Sequence, residues 1–458
     1  MQSFSSLPLD SAVIEALSRN GITAPSPIQQ ASLEHALTGR DIQGMAQTGS
    51  GKTLCFALPI VNKLNPSLRR PQAVILCPTR ELAAQVAEQC RMVASHIPNI
   101  KVLTLCGGQP MGPDIQSLKH GCHIVVGTPG RLAEHLEKRR LDLSQVTTRV
   151  LDEADRMLDM GFIDSVDAIF AATPNDAQSL FFSATFPEPL AKLAHRYQLD
   201  PEVISVTESS APPAISEVAY HVLSHTREQS LKAVLTHYKP STAMVFCNTR
   251  QQVVEVVASL TQEGFVAAGL QGDMEQHARN AVLMQFELGA LQVLVATDVA
   301  ARGLDISSVD CVINYTLSED MDTHTHRVGR TARAGETGQA VSLIVDDDLL
   351  RIEQLAERLK RDIPVKGAQA LRFHKNRIVM PDYTAIMLGA GKKQKLRPGD
   401  ILGALTQEAG IPGDDIGKIA VRNSQSFVAV KTRSVKRAMA QFREGKIKGK
   451  KVRARKLA

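Results

Sequence analysis

The sequence predicts an α/β protein: two tandem parallel-sheet domains followed by a small α+β domain of βαββαβ order. Three observations carry this reading. Short, nearly continuous apolar runs alternate with longer helix-like stretches over residues 1–365. A polar stretch ending in two prolines, Thr207-Glu-Ser-Ser-Ala-Pro-Pro213, interrupts that alternation near its middle. Beyond residue 382 both the order of elements and the charge change. At roughly 100–200 residues per domain, a chain of 458 residues is in any case too long for one core.

The runs Ala73-Val-Ile-Leu-Cys-Pro78, His123-Ile-Val-Val-Gly127, Ala243-Met-Val-Phe-Cys247 and Gln292-Val-Leu-Val-Ala296 are rich in β-branched residues and bounded by turn or loop residues. Strands of a parallel sheet covered on both faces read this way, because neither face needs polar side chains. The stretches Glu81–Ala94 and Gln251–Glu263 suit the crossover helices between them. The expected division is 1–32, 33–208, 209–365, a linker at 366–382, and 383–458. The last part reads as strand (Thr384–Leu388), helix (Asp400–Ala409), two strands (Ile416–Val421 and Ser426–Lys431), helix (Val435–Arg443) and strand (Lys450–Arg455). This is a split βαβ order, and the RNA-recognition motif is one user of it.

From Tyr383 onward the chain carries 18 Lys and Arg against 5 Asp and Glu, while the whole chain has a net charge of only +6. The last sixth therefore holds more than the entire positive excess, which points to a polyanionic partner, most commonly nucleic acid. No apolar run reaches the ~18 residues of a membrane span, and MQSFSSLPLD lacks the basic start and apolar stretch of a secretory signal. None of the seven cysteines stands in a C-x-x-C pair. A reducing cytoplasm fits that usage better than a disulfide framework or a zinc site. Nothing in the sequence supplies a dimer interface, and a monomer is expected.

Three motifs carry chemistry. Ala46-Gln-Thr-Gly-Ser-Gly-Lys-Thr53 lies between an apolar strand and a helix. Its backbone N–H groups, from Gln47, Thr48, Gly49, Ser50 and Gly51 onward, can close around phosphate oxygens at the helix N-terminus. Lys52 can reach the β- and γ-phosphates, and Thr53 offers a hydroxyl to Mg²⁺. The first position of the usual pattern is Ala46 rather than Gly. Arg149-Val-Leu-Asp-Glu-Ala-Asp155 puts Asp152 at the end of an apolar strand, where α/β sheets place ligands. Its carboxylate can hold hydrated Mg²⁺, and Glu153 can orient or deprotonate an attacking water. His326-Arg-Val-Gly-Arg-Thr-Ala-Arg333 gathers arginines, the residues suited to bidentate phosphate contacts. If the two domains face each other, Arg327 and Arg330 could reach the γ-phosphate as arginine fingers.

In this order the motifs resemble the DEAD-box RNA helicases over about residues 4–345. The resemblance implies two RecA-like domains that bind ATP with Mg²⁺ and hydrolyse ATP on RNA. Phe4 and Gly21-Ile-Thr-Ala-Pro-Ser-Pro-Ile-Gln29 look like the motif that reads adenine, with Gln29 on the base edge and Phe4 stacked on it. Pro78-Thr-Arg-Glu-Leu-Ala83, Gly107-Gly108 and Thr128-Pro-Gly-Arg131 look like RNA-backbone contacts, which gives Arg80, Gly108, Thr128 and Arg131 that role. Ser183-Ala-Thr185 resembles the motif that couples hydrolysis to strand separation. In the second domain Val245–Arg250, Gln276-His-Ala-Arg279 and Ala296–Asp305 match further motifs. The family assigns Thr297, and by the same match Arg279, to RNA, and Gly303 with Asp305 to the nucleotide. Leu304 stands where Ile is frequent and Ala332 where Gly is frequent.

The last 76 residues resemble the bacterial DEAD-box protein A subfamily, whose RNA-recognition-like tail binds a hairpin in the peptidyl-transferase region of 23S ribosomal RNA. The stretches that match are Gly391–Leu405, Asp415–Val421 and Gly445–Lys450. The resemblance implies a role on precursors of the 50S subunit. An RNA-recognition motif stacks bases on aromatics of its central strands, yet here those strands offer only Phe427. Lys392, Lys393, Lys395, Arg397, Lys446, Lys448, Lys450 and Lys451 sit in loop-like positions and would grip phosphates instead. Such contacts carry no sequence information, so hairpin specificity rests on the resemblance. Competing readings are a general RNA-dependent ATPase that remodels or anneals without ribosomal specificity, a non-enzymatic RNA-binding clamp, and a DNA helicase.

Overall fold

The computed structural model describes residues 3–46, 50–108, 110–206, 215–301, 309–332 and 337–457. The chain forms two compact units, divided near residues 209–210. The first unit is built on a seven-stranded sheet of β1 (Ile42–Met45), β2 (Ala73–Leu76), β3 (Val102–Leu105), β4 (Ile124–Gly127), β5 (Thr148–Asp152), β6 (Gln178–Ser183) and β7 (Glu202–Ser205). Their spatial order is β3-β4-β2-β5-β6-β1-β7, and all pairings are parallel. Every residue of β2, β4, β5 and β6 is buried. Helices cover both faces and divide the apolar residues into two cores, one around Phe56, Ile75 and Phe182 and one around Val74, Phe170 and Phe181.

The second unit repeats this plan with β8 (Ile215–His221), β9 (Ala243–Cys247), β10 (Ala267–Leu270), β11 (Val293–Thr297), β12 (Cys311–Asn314), β13 (Gly338–Ile344) and β14 (Val365–Gly367). The order is β10-β11-β9-β12-β13-β8-β14, again parallel. The apolar runs of the sequence thus become the strands of two doubly covered sheets.

The same unit ends in an antiparallel sheet of β15 (Tyr383–Leu388), β16 (Ile416–Val421), β17 (Ser426–Lys431) and β18 (Ala454–Lys456), ordered β16-β17-β15-β18. Helices at Pro398–Gly403 and Val435–Glu444 cover one face. The last strand is shorter than the sequence suggested, because residues 447–450 close a tight turn through a bridge between Ile447 and Lys450. The centre of the other face is covered as well. Ala385, Phe427, Ala429 and Leu457 pack against Met284 and Leu288, at the end of the helix Gln276–Glu287 and just after it. Glu287 adds ion pairs to Lys418 at 2.5 Å and Arg422 at 3.7 Å. Phe427, 5 % exposed, is therefore a packing residue at this junction rather than a platform for bases.

Among the described residues no helix is long and apolar enough to cross a membrane. All seven cysteines are buried and free.

Candidate ATP and RNA sites

The strand order of the first unit sorts the predicted residues into two groups. Apart from Phe4 and Gln29, the described ones lie at or just beyond the carboxyl ends of the strands, where a parallel sheet places its ligands. Lys52 and Thr53 follow β1, Asp152 ends β5 with Glu153 next, and Ser183 ends β6, three neighbouring strands. Arg80 follows β2, Gly108 follows β3, and Thr128 with Arg131 follows β4, the other three neighbours. One half of the sheet edge carries the residues predicted for phosphate chemistry and the adjoining half the predicted RNA contacts.

Lys52 opens the helix Lys52–Lys63 behind Gly51, which has φ 92°, a conformation that costs glycine little. The ammonium is 7 % exposed and donates to the Ala46 carbonyl at 2.9 Å. Gln29 braces this corner: its Nε2 donates to the Gly51 carbonyl at 2.9 Å and its Oε1 accepts from Ser26 N–H at 3.0 Å. The Ser26 hydroxyl donates to the Ser50 carbonyl at 2.8 Å. Each amide atom of Gln29 keeps capacity for one more hydrogen bond, as base recognition requires. A Cβ at position 51 would come within 2.6 Å of the Gln29 amide nitrogen, so glycine is needed there twice over. Phe4 is 3 % exposed and packs in the first apolar core. Gln47, Thr48, Gly49, Gly303 and Asp305, expected at the nucleotide, lie outside the described residues.

Asp152 is 3 % exposed, and its Oδ1 has no hydrogen-bond partner. Burial pushes the carboxyl up to about 7, against the opposing pull of Lys52. A buried, unpaired carboxylate oxygen near an ammonium is a donor set that a hydrated divalent cation would satisfy, so these residues fit Mg²⁺. The shift also has a stability consequence. Between about pH 4 and 7 the native state holds a proton that the unfolded chain has released, so this group's contribution falls as pH rises through that window. Without nucleotide, Asp152→Asn is expected to raise stability at pH 8 by up to about 4 kcal/mol. The gain should vanish near pH 4, and denaturant titrations at the two pH values check it.

Glu153 follows with φ 53° and ψ 53°, a left-handed conformation that costs a non-glycine residue about 1–2 kcal/mol. This turn swings the chain from β5 directly into the short helix Ala154–Asp159. Asp155, to which the sequence reading gave no role, ties the two hydrolysis motifs together. Its N–H donates to the Ser183 hydroxyl at 3.0 Å, and its Oδ2 accepts from Thr185 N–H at 3.3 Å.

In the RNA half, the Arg80 guanidinium lies directly over Gly108, where an added Cβ would fall within 2.1–2.3 Å of it. The Thr128 hydroxyl accepts from Gly107 N–H at 3.4 Å, linking two of the predicted contacts. Arg131 departs from expectation. It is 8 % exposed, with Nε on Asp114 at 2.9 Å and Nη1 3.5 Å from Glu134. Arg131, expected on RNA, is thus paired with carboxylates in the ligand-free protein. A guanidinium removed from water needs carboxylate acceptors, and Asp114, far off in sequence, supplies one.

The second unit also turns arginines inward. Arg327 is 2 % exposed and all five of its N–H donors are in use. Nε and Nη2 form a fork on Asp298, both at 2.6 Å. Nη1 donates to Asn314 at 3.1 Å and to the Thr316 carbonyl at 2.7 Å, and Nη2 also donates to Asn248 at 2.9 Å. These partners stand at or beyond the ends of β11, β12 and β9, so one side chain knots three adjacent strands. In this arrangement Arg327 has no donor left for a phosphate; Arg330, the other arginine expected as a finger, is 8 % exposed. Arg279, likewise expected on RNA, is 8 % exposed and donates to the Ala300 carbonyl at 2.6 Å and the Gln271 carbonyl at 3.4 Å. In the ligand-free protein it is held by these backbone acceptors. Thr297 ends β11, 8 % exposed. Ala332, where the resemblance favours Gly, has φ 55°. Ala332→Gly is expected to gain about 0.5–1 kcal/mol, measured as a shift in denaturant midpoint.

The C-terminal domain brings its two lysine-rich runs together across some fifty residues of sequence. Lys448 Nζ donates to the Lys395 carbonyl at 3.2 Å and lies 3.5 Å from Asp400. Lys392, Lys393, Lys395, Arg397, Lys446, Lys448, Lys450 and Lys451 are all exposed.

Comparison with known proteins identifies the family and the domains. The DEAD/DEAH box helicase family matches residues 26–193, the helicase conserved C-terminal domain residues 226–335, and the DbpA RNA binding domain residues 385–456. The chain is 43% identical to the ATP-dependent RNA helicase DbpA of Escherichia coli over 461 aligned residues, covering 99% of each protein. It is 40% identical to the DEAD-box ATP-dependent RNA helicase CshA of Bacillus subtilis, over 78% of this chain and 72% of the relative. Among solved structures, S. cerevisiae Dbp5 bound to RNA and ADP BeF3 is similar with a TM-score of 0.72 at 26% identity, covering 80% of this chain and 96% of that one. The chain belongs to the DEAD-box family: it is an ATP-dependent RNA helicase of two RecA-like domains that ends in a DbpA-type RNA-binding domain.

Proposed function

We propose that this helicase uses ATP hydrolysis to separate short duplexes in 23S ribosomal RNA, and that its C-terminal domain addresses it to a hairpin of that RNA on precursors of the 50S subunit. It would act as a monomer in the cytoplasm. Gln29 and Phe4 border the adenine, Lys52 meets the phosphates, and Thr53 with Asp152 holds Mg²⁺. When bound, Mg²⁺ neutralises charge on the β- and γ-phosphate oxygens. Glu153 positions the attacking water and accepts its proton. ATP and RNA together bring the second RecA-like domain over the first, so that Arg330 meets the γ-phosphate. Arg80, Gly108, Thr128 and Thr297 hold RNA through its backbone, which leaves the motor nearly blind to sequence.

The observation that carries the targeting reading is the C-terminal domain itself. Its sheet face is covered by Met284 and Leu288, while the lysines of 392–397 and 446–451 form one exposed basic surface. This supports a hairpin gripped chiefly by the loops. The test compares ATPase activation by 23S ribosomal RNA, a peptidyl-transferase-region hairpin and poly(A), using the full chain and a Lys393→Glu/Lys446→Glu/Lys451→Glu variant. The ribosomal RNAs are expected to activate at far lower concentration than poly(A). The variant should lose that advantage, with a salt slope reduced by roughly 0.7–0.9 per lost phosphate contact. Equal activation by all three RNAs would leave a general RNA-dependent ATPase.

A further inference from the structure

We infer that the junction between the second RecA-like domain and the C-terminal domain holds a separate site for one nucleotide unit, a base with its phosphate. A cleft of about 630 Å³ opens there, a size typical of small-molecule sites and sufficient for a nucleoside monophosphate. Gln285, Tyr383, Ala385, Lys431, Arg433 and Lys456 contribute to its walls.

Gln285 is 8 % exposed, yet among the described residues its side-chain amide makes no hydrogen bond. Facing the cleft, that amide offers a paired donor and acceptor, which match a base edge. Tyr383 adds an aromatic ring, seated beside Gly417, where a Cβ would come within 2.8 Å of it. Aromatic rings stack on any base. The cations surround this pair. Lys456 is exposed and forms no ion pair among the described residues. Arg433 gives Nε and Nη2 to Asp415, which leaves Nη1, and Lys431 lies 3.9 Å from the same carboxylate. Against Asp382 and Asp415 the surroundings remain net positive.

The site is distinct from the lysine loops. Tyr383 pairs with Lys431 at one end of β15 and β17, whereas Leu388 pairs with Ser426 at the other, next to residues 391–397. A base, an aromatic ring and a phosphate could come from an unpaired nucleotide of RNA or from a free nucleotide.

The experiment is ultraviolet crosslinking of the full chain, without ATP, to single-stranded RNA containing 4-thiouridine, followed by peptide mapping. Crosslinks are expected within 380–385 or 284–290. Gln285→Leu and the surface change Lys456→Glu should each weaken them by at least about fivefold, with an unchanged melting profile for Lys456→Glu. Competition by millimolar uridine monophosphate would assign the cleft to free nucleotides as well, and competition by unlabelled RNA alone would assign it to RNA. Both results support the site. Crosslinks confined to other segments, or insensitive to both substitutions, would overturn it. The lysine-loop variant should keep these crosslinks, so failure of ribosomal targeting can be told from failure of this site.

Discussion

A Glu153→Gln enzyme is expected to bind ATP and RNA as the parent does and to hydrolyse ATP roughly 10²–10⁴-fold more slowly. The expectation comes from placement. Glu153 follows β5 next to Asp152, is 7 % exposed, and sits in a left-handed turn that fixes its direction. Glutamine keeps the shape and hydrogen-bonding reach but cannot accept a proton. The cost of the strained turn is already met in the folded domain and is the same for both residues, so folding should be unaffected. Single-turnover hydrolysis at saturating RNA, beside RNA anisotropy with ATP present, makes the comparison. Sustained hydrolysis in this variant would remove Glu153 from the role.

Arg327→Met should act mainly on stability, with a loss of about 3–5 kcal/mol in the second domain. The substitution removes the charge that faces Asp298 and leaves Asn248, Asn314 and the Thr316 carbonyl without their donor. The Phe246 ring, 5.2 Å from the guanidinium carbon, loses its cation as well. Arg330→Met should instead lower RNA-stimulated ATPase by roughly 10³ or more, as loss of an arginine finger does. Denaturant midpoints and ATPase rates of both variants decide the assignment. An Arg327→Met protein with an unchanged midpoint and no hydrolysis would return the phosphate role to Arg327.

Much of this was legible from residues alone, for physical reasons. A parallel sheet buried on both faces must be apolar along its whole length, so runs such as Ala73–Leu76 and Ala243–Cys247 announced strands without tertiary information. The phosphate loop depends on backbone conformation and local order, and the D-E-A-D carboxylates depend on a strand end; both are properties of short segments. The C-terminal charge excess was a matter of counting.

What the sequence could not decide was which way each arginine turns. Arg80, Arg131, Arg279 and Arg327 stand in motifs of equal clarity, yet Arg80 spreads over Gly108 while the other three turn inward. Their acceptors, Asp114, the Ala300 carbonyl and Asp298, are 17 to 29 residues away and come near only when the strands align in their final order. Asp155 carried a signal in its motif, but its bond to Ser183 needed β5 and β6 to be neighbours. The covering of Phe427 by Met284 is likewise a property of the docked domains. Sequence by itself determined the chemistry available to this helicase, because residue type and short-range spacing set it. Only the tertiary structure decided which charged groups remain free for ligands, because in a low-dielectric interior each must first find its partner.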